Sequence, residues 1–86
     1  MPIRLSALPF GSEATIRFVE DAIPRDPIAD RLRTLGFVTD EPVRIVARGP
    51  IGADPLLIQI GFTRFALRRS EAARVVVEPL AKHPTP

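Results

Sequence analysis

Apolar and polar residues alternate along residues 13–20. Ala14, Ile16 and Phe18 share one side, and Thr15, Arg17 and Val19 the other. A period of two is the mark of a half-buried strand, so the first set is expected to face inward. The rhythm returns over 41–48, with Val43, Ile45 and Ala47 inward and Arg44, Val46 and Arg48 outward. Leu56, Ile58 and Ile60 define a third strand with Gln59 on its outer side. Phe65 and Leu67 give the inner face of a fourth, and Val75-Val76-Val77 form a last one that stops at Pro79.

One segment departs from this period. Asp26-Pro27 places a capping carboxylate before a proline at the first helical position, a strong helix start. Ile28, Leu32 and Leu35 then follow at i, i+4 and i+7, one stripe of a helix. Asp30 and Arg33 lie opposite, at a spacing that lets them pair. Gly36 ends the helix where the backbone turns left-handed. The helix is therefore expected over about residues 26–35. Ser70-Glu71-Ala72-Ala73 suggests a single further helical turn. The fold class expected is mainly β: a small barrel of about five strands with one inserted helix, whose closure removes exposed sheet edges. Residues 1–79 form one domain, and 80–86 are expected to be a disordered tail.

Composition narrows the chemistry. The 86 residues are 45% apolar and 26% charged, which suits one small packed domain. With no cysteine, disulfides, thiolate nucleophiles and Cys-ligated metals are all ruled out. The start, Met1-Pro2-Ile3-Arg4-Leu5, lacks a signal-peptide core, and no stretch approaches the ~20 apolar residues of a membrane span, so a soluble cytoplasmic protein is expected. The net charge of +2 is mild.

Catalytic sets are missing. The single histidine, His83, lies in the expected tail and leaves Ser6, Ser12 and Ser70 without a base. One histidine cannot build a two-histidine iron site, and Asp21, Asp26 and Asp30 read as turn, cap and helix-surface residues. Gly49-Pro50-Ile51-Gly52 lacks the Gly-Lys-Ser/Thr ending of a phosphate loop and reads as a stiff turn. Neither an enzymatic activity nor a cofactor or metal site is expected. The arginines admit an alternative: Arg44, Arg48, Arg64 and Arg68 would form a nucleic-acid-binding stripe if their strands were neighbours. Against it, there is no Trp or Tyr for stacking, and the Phe residues fall mainly at inward positions.

The ordered set of motifs resembles the FeoA family. The set begins with Leu5-Ser6-Ala7-Leu8-Pro9-Phe10-Gly11 before Ala14-Thr15-Ile16, then Arg31-Leu32-Arg33-Thr34-Leu35-Gly36 with Phe37. Val43–Arg48 runs into a proline-containing loop at 49–55. The closing piece is Phe65-Ala66-Leu67-Arg68-Arg69-Ser70-Glu71-Ala72-Ala73-Arg74-Val75-Val76-Val77. Two departures stand out: Thr39-Asp40 replaces the family's Pro-Gly turn, and the 49–55 loop is about one residue longer than usual.

The resemblance implies an SH3-like barrel that accompanies FeoB, the membrane Fe²⁺ transporter with a cytoplasmic GTPase domain. Its expected partner is then the GTPase region or membrane portion of FeoB, with no membrane insertion of its own and with homo-oligomers left open. The contact surface expected on this reading joins Leu35, Gly36 and Phe37 to the nearby loop residues Pro50 and Gly52. A related alternative is an interaction domain like the C-terminal domain of iron-dependent repressors.

Overall fold

Strands form wherever the alternation runs. In a computed structural model, residues 1–80 are described. They comprise β1 (Ile3–Arg4), a 3-10 turn (Leu5–Ala7), β2 (Glu13–Val19), α1 (Pro27–Leu35), β3 (Pro42–Ile51), β4 (Asp54–Ile60), β5 (Thr63–Leu67), α2 (Arg69–Ala72) and β6 (Val75–Pro79). The sheet has six strands in the order β1-β6-β2-β3-β4-β5, and all neighbours are antiparallel. Five of these strands match the alternating segments. The sixth, β1, is only two residues long and pairs Ile3 with Val77 and Arg4 with Val76, too short to carry a period. The tail from 81 onward, with His83, lies outside the described residues; Leu80 still donates its N–H to the Glu13 carbonyl at 3.0 Å.

β6 is an interior strand, between β1 and β2, and is buried at Val75, Val76 and Val77. Its inner residues meet Val19 and Ile16 of β2, whereas Val76 is paired with Phe18. This follows from a bulge at Arg17, between the Ile16–Val77 and Phe18–Val76 pairs. One extra residue reverses the facing of everything beyond it. Phe18 therefore points out, half-exposed, and Val19 points in, the reverse of the simple alternation.

The helix starts and stops as its sequence dictates. Asp26 Oδ1 accepts from the Ile28 N–H at 3.0 Å, and Pro27 occupies the first turn. At the other end Gly36 adopts φ 112°. Its N–H reaches the Arg33 carbonyl, and the Phe37 N–H reaches that of Leu32. These two bonds, with buried Leu32 beneath buried Phe37, make a Schellman closure. The buried face is set by Ala29 and Leu32, with Ile28 half-buried and Leu35 at its rim. Arg33 fastens the helix to β2 by donating to the Val19 carbonyl at 2.7 Å, to Asp21 at 2.9 Å and to Asp30 at 2.8 Å.

Asp26 is more than a cap. Its side chain is buried, and its Oδ2 accepts from Arg74 Nε at 2.6 Å and from the Ala22 N–H at 2.8 Å. Arg74 leads directly into β6, so one carboxylate joins the helix start to the strand that lies between β1 and β2. The Arg74 guanidinium, aided by the backbone N–H groups, holds the Asp26 carboxyl at about 2, against a desolvation that works the other way. An acid whose folded value is depressed stabilises the fold fully above its unfolded value, near 3.8, and that contribution is lost as pH falls toward 2.

Asp26→Asn keeps an N-cap acceptor but removes the charge, leaving Arg74 without its counter-ion. The expected result is a lower melting temperature at pH 7, together with a smaller loss of stability between pH 4 and pH 2 than in the wild type. Thermal unfolding followed across that pH range checks both, and an unchanged acid limb would show that Asp26 does not carry it.

Candidate functional site

The helix end presents Leu35, 36% exposed, and a half-buried Gly36. Phe37 does not join them at the surface. It is 1% exposed, and its ring lies 5.5 Å from that of Phe65 on β5, centroid to centroid. This corrects the expectation that Phe37 touches a partner; it supports the corner from inside and ties it to β5. The spacing was ambiguous because a residue just after a helix-ending glycine serves equally as core or rim, and here the Schellman bond turns it inward.

Pro50 and Gly52 are exposed, and Ile51 between them is 82% exposed. They do not form a loop. β3 and β4 run on to Ile51 and Asp54, which pair, and only Gly52 and Ala53 remain as the turn, with φ of 62° and 57°. Two left-handed residues match the twist that hairpins favour. Gly49 is required by close approach, because a Cβ there would sit 2.1 Å from the Asp54 carbonyl oxygen. The structure does not bring this hairpin end to the helix corner. Residues 36–41 pack beside Ile16 at the start of β3, through Asp40 N–H to Ile16 O at 2.7 Å, whereas Ile51 ends that strand. The ten residues of β3 run between the two parts, roughly 30 Å of chain at ordinary strand rise.

The arginines divide as well. Glu13, Arg44, Gln59 and Arg64 occupy one cross-strand row on β2, β3, β4 and β5. β4 therefore lies between the two arginine-bearing strands. Arg44 approaches Glu13 at 3.7 Å, and Arg64 Nε donates to Gln59 Oε1 at 3.2 Å. Arg48 belongs elsewhere. A bulge at Val46 shifts the register, so Arg48 pairs with core-facing Leu56 and its guanidinium lies over the Phe10 ring, 5.9 Å from the centroid. Arg68 stands at the start of α2, where its N–H donates to the Glu71 carboxylate at 2.8 Å, and it borders a depression with Ile51, Asp54 and Pro55. The four do not form one stripe. Nor are the Phe residues mainly inward: Phe10, Phe18 and Phe62 are exposed, and Phe62 fully so. Phe62 was legible as a tip residue, since Gly61-Phe62 is a two-residue link between alternating strands.

Among the described residues no group of three or more His, Asp or Glu side chains is placed to hold a metal ion. No helix there is long and apolar enough to cross a membrane.

The six-stranded antiparallel sheet with one capping helix defines a small SH3-like barrel. The FeoA domain model matches residues 3–79, and the chain belongs to that family. It is similar to Stenotrophomonas maltophilia FeoA complexed with zinc, at 58% identity over 91% of this chain and 89% of that one, with a TM-score of 0.81. That protein is described as an SH3 domain protein and a candidate bacterial ferrous iron transport activating factor. FeoA from Chlorobium tepidum is 29% identical over 95% of this chain and 74% of its own, with a TM-score of 0.79. A manganese-dependent transcriptional repressor shares the fold at 22% identity, TM-score 0.76, over 92% of this chain and 42% of its own. No curated protein sequence matches the chain.

Phe37→Ala tests the core assignment. Removing a fully buried phenylalanine should cost about 3–5 kcal/mol, read as a lower urea midpoint for unfolding. A cost of a few tenths of that size would return Phe37 to the surface.

Proposed function

We propose that this chain is a non-enzymatic accessory protein of bacterial ferrous iron uptake that works in the cytoplasm by binding the cytoplasmic part of the FeoB transporter. The observation that carries this reading is the FeoA family match over residues 3–79, joined to a 58% identical relative described as a candidate ferrous iron transport activating factor. The geometry supports a binding role. Apolar side chains stand at the surface on rigid supports, where they lose little entropy on docking. Leu35 is held by the Schellman closure above buried Phe37, and Ile51 by a two-residue hairpin turn.

The contact is assigned to the helix corner, Leu35 and Gly36, with Pro50 and Gly52 forming a second, separate patch. Phe37 positions the corner without touching the partner. The reading needs no bound cofactor on this chain; Fe²⁺ is the transporter's cargo.

Leu35→Asp is a fair test because the side chain is already partly in water and the variant can fold. Titration calorimetry against the cytoplasmic region of the cognate FeoB should show affinity reduced roughly tenfold or more, as for an apolar anchor residue, with a melting temperature close to the wild type. Equal affinity in the folded variant would remove Leu35 from the contact, and absence of binding by the wild type would remove the FeoB cytoplasmic region as partner.

A further inference from the structure

We propose that the outer edge of β5 receives an extended acidic segment of the partner as an added antiparallel strand. This rests on the binding role argued above and deepens it by naming how the partner is held. β5 is the last strand of the sheet and pairs only with β4. The Ile60–Thr63 pair closes that hairpin around Gly61-Phe62, with Gly61 at φ 59°. A glycine of that φ at the first central position marks the tight turn whose flanking pair is hydrogen-bonded. Antiparallel ladders alternate, so Thr63, Phe65 and Leu67 address β4, and the N–H and C=O of Arg64 and Ala66 point away from it. Among the described residues neither makes a backbone hydrogen bond to another segment, and both residues are exposed. A free row of this kind is a template for one more strand. The opposite edge, β1, has only two residues and offers no comparable length.

Charge selects the occupant. Thr63 to Ser70 contains Arg64, Arg68 and Arg69 and no acid. The nearby carboxylates of Glu71 and Asp54 are engaged by the N–H groups of Arg68 and Arg69, at 2.8 and 3.0 Å. Among the described residues the Arg64 guanidinium is hydrogen-bonded to the neutral Gln59 side chain and to no carboxylate, and the Arg69 guanidinium reaches the Ser6 carbonyl at 3.2 Å. A second copy fits poorly. Antiparallel self-pairing centred on Ala66 sets Arg64 opposite Arg68, and centring it on Phe65 makes the two Arg64 side chains diagonal neighbours. Like charges so placed disfavour the pair, whereas glutamates or aspartates on an incoming strand would meet them. The Phe37–Phe65 contact also ties β5 from inside to the end of α1, where the proposed contact corner lies.

Ala66→Pro removes an outward N–H and blocks strand addition while leaving the β4 ladder intact, and proline is tolerated at such edge positions. Ala66→Ser keeps the N–H. With the cytoplasmic region of FeoB as titrant, Ala66→Pro should weaken binding roughly tenfold, and Ala66→Ser should bind as wild type, both at native melting temperature. Equal binding by folded Ala66→Pro overturns the edge site and leaves the FeoB reading standing. If Ala66→Pro does not fold, Arg64→Glu combined with Arg68→Glu replaces it, with the same expected loss and the same overturning result.

Should wild-type protein fail to bind the FeoB region, the FeoB reading falls alone, and the edge is decided by amide hydrogen exchange. A blocked peptide of alternating Thr and Glu at millimolar concentration and low salt should slow exchange at Arg64 and Ala66, and its Thr–Lys counterpart should not. No slowing, equal slowing by both peptides, or amides already protected in the free protein would each overturn the proposal.

Discussion

A single buried carboxylate organises the parts that the sheet alone would leave loose. Asp26 accepts hydrogen bonds from the loop before the helix, from the helix's first turn and from Arg74 at the start of β6. β6 runs between β1 and β2, so whatever fixes its start also fixes how the C-terminal strand closes on the N-terminal ones. A domain this small has little apolar surface to spend on holding a lone nine-residue helix against a sheet. The ion pair does that work with full hydrogen-bond satisfaction, since no buried side-chain polar atom among the described residues lacks a partner.

The sheet was readable where the period of two ran undisturbed and misread where a bulge intervened. Val43, Ile45, Leu56, Ile58 and Leu67 are all buried as their alternation implies. Beyond Arg17 and beyond Val46 one extra residue reverses the parity, and Phe18 and Arg48 land on the face opposite to the one expected. Nothing in the residues at those two points marks a bulge, because neither carries the glycine that would advertise one. Turn chemistry was more legible. Asp40 does adopt a left-handed φ of 71° in place of the family's glycine, as a short polar side chain allows.

The candidate surface shows the same division between local and non-local information. Gly36 and the helix stop were plain because capping is a property of neighbours in sequence. The buried state of Phe37 was not, because it depends on Phe65, a residue on β5. Arg74 gave no sign of pairing with Asp26 for the same reason: the partners lie 48 positions apart. The arginine stripe failed through topology, since placing β4 between β3 and β5 interposes Gln59 in the row.

The barrel is shared with a repressor that is only 22% identical, so the frame itself does not choose a partner. What distinguishes one such barrel from another is the surface its strands are obliged to leave unfinished. The closure expected from the sequence is incomplete: among the described residues the outer strands β1 and β5 do not pair with each other, so the sheet keeps two edges, and they differ in kind. β1 is blunted by being two residues long. β5 is longer, and its protection is electrostatic, because Arg64 on the strand and Arg68 just after it are exposed and disfavour a second copy of the same edge. Protection by charge has a polarity that protection by shortness lacks. It disfavours like strands and favours acidic ones, so on the proposed reading the charge that opposes self-pairing at β5 also sets the chemistry that a bound strand must carry.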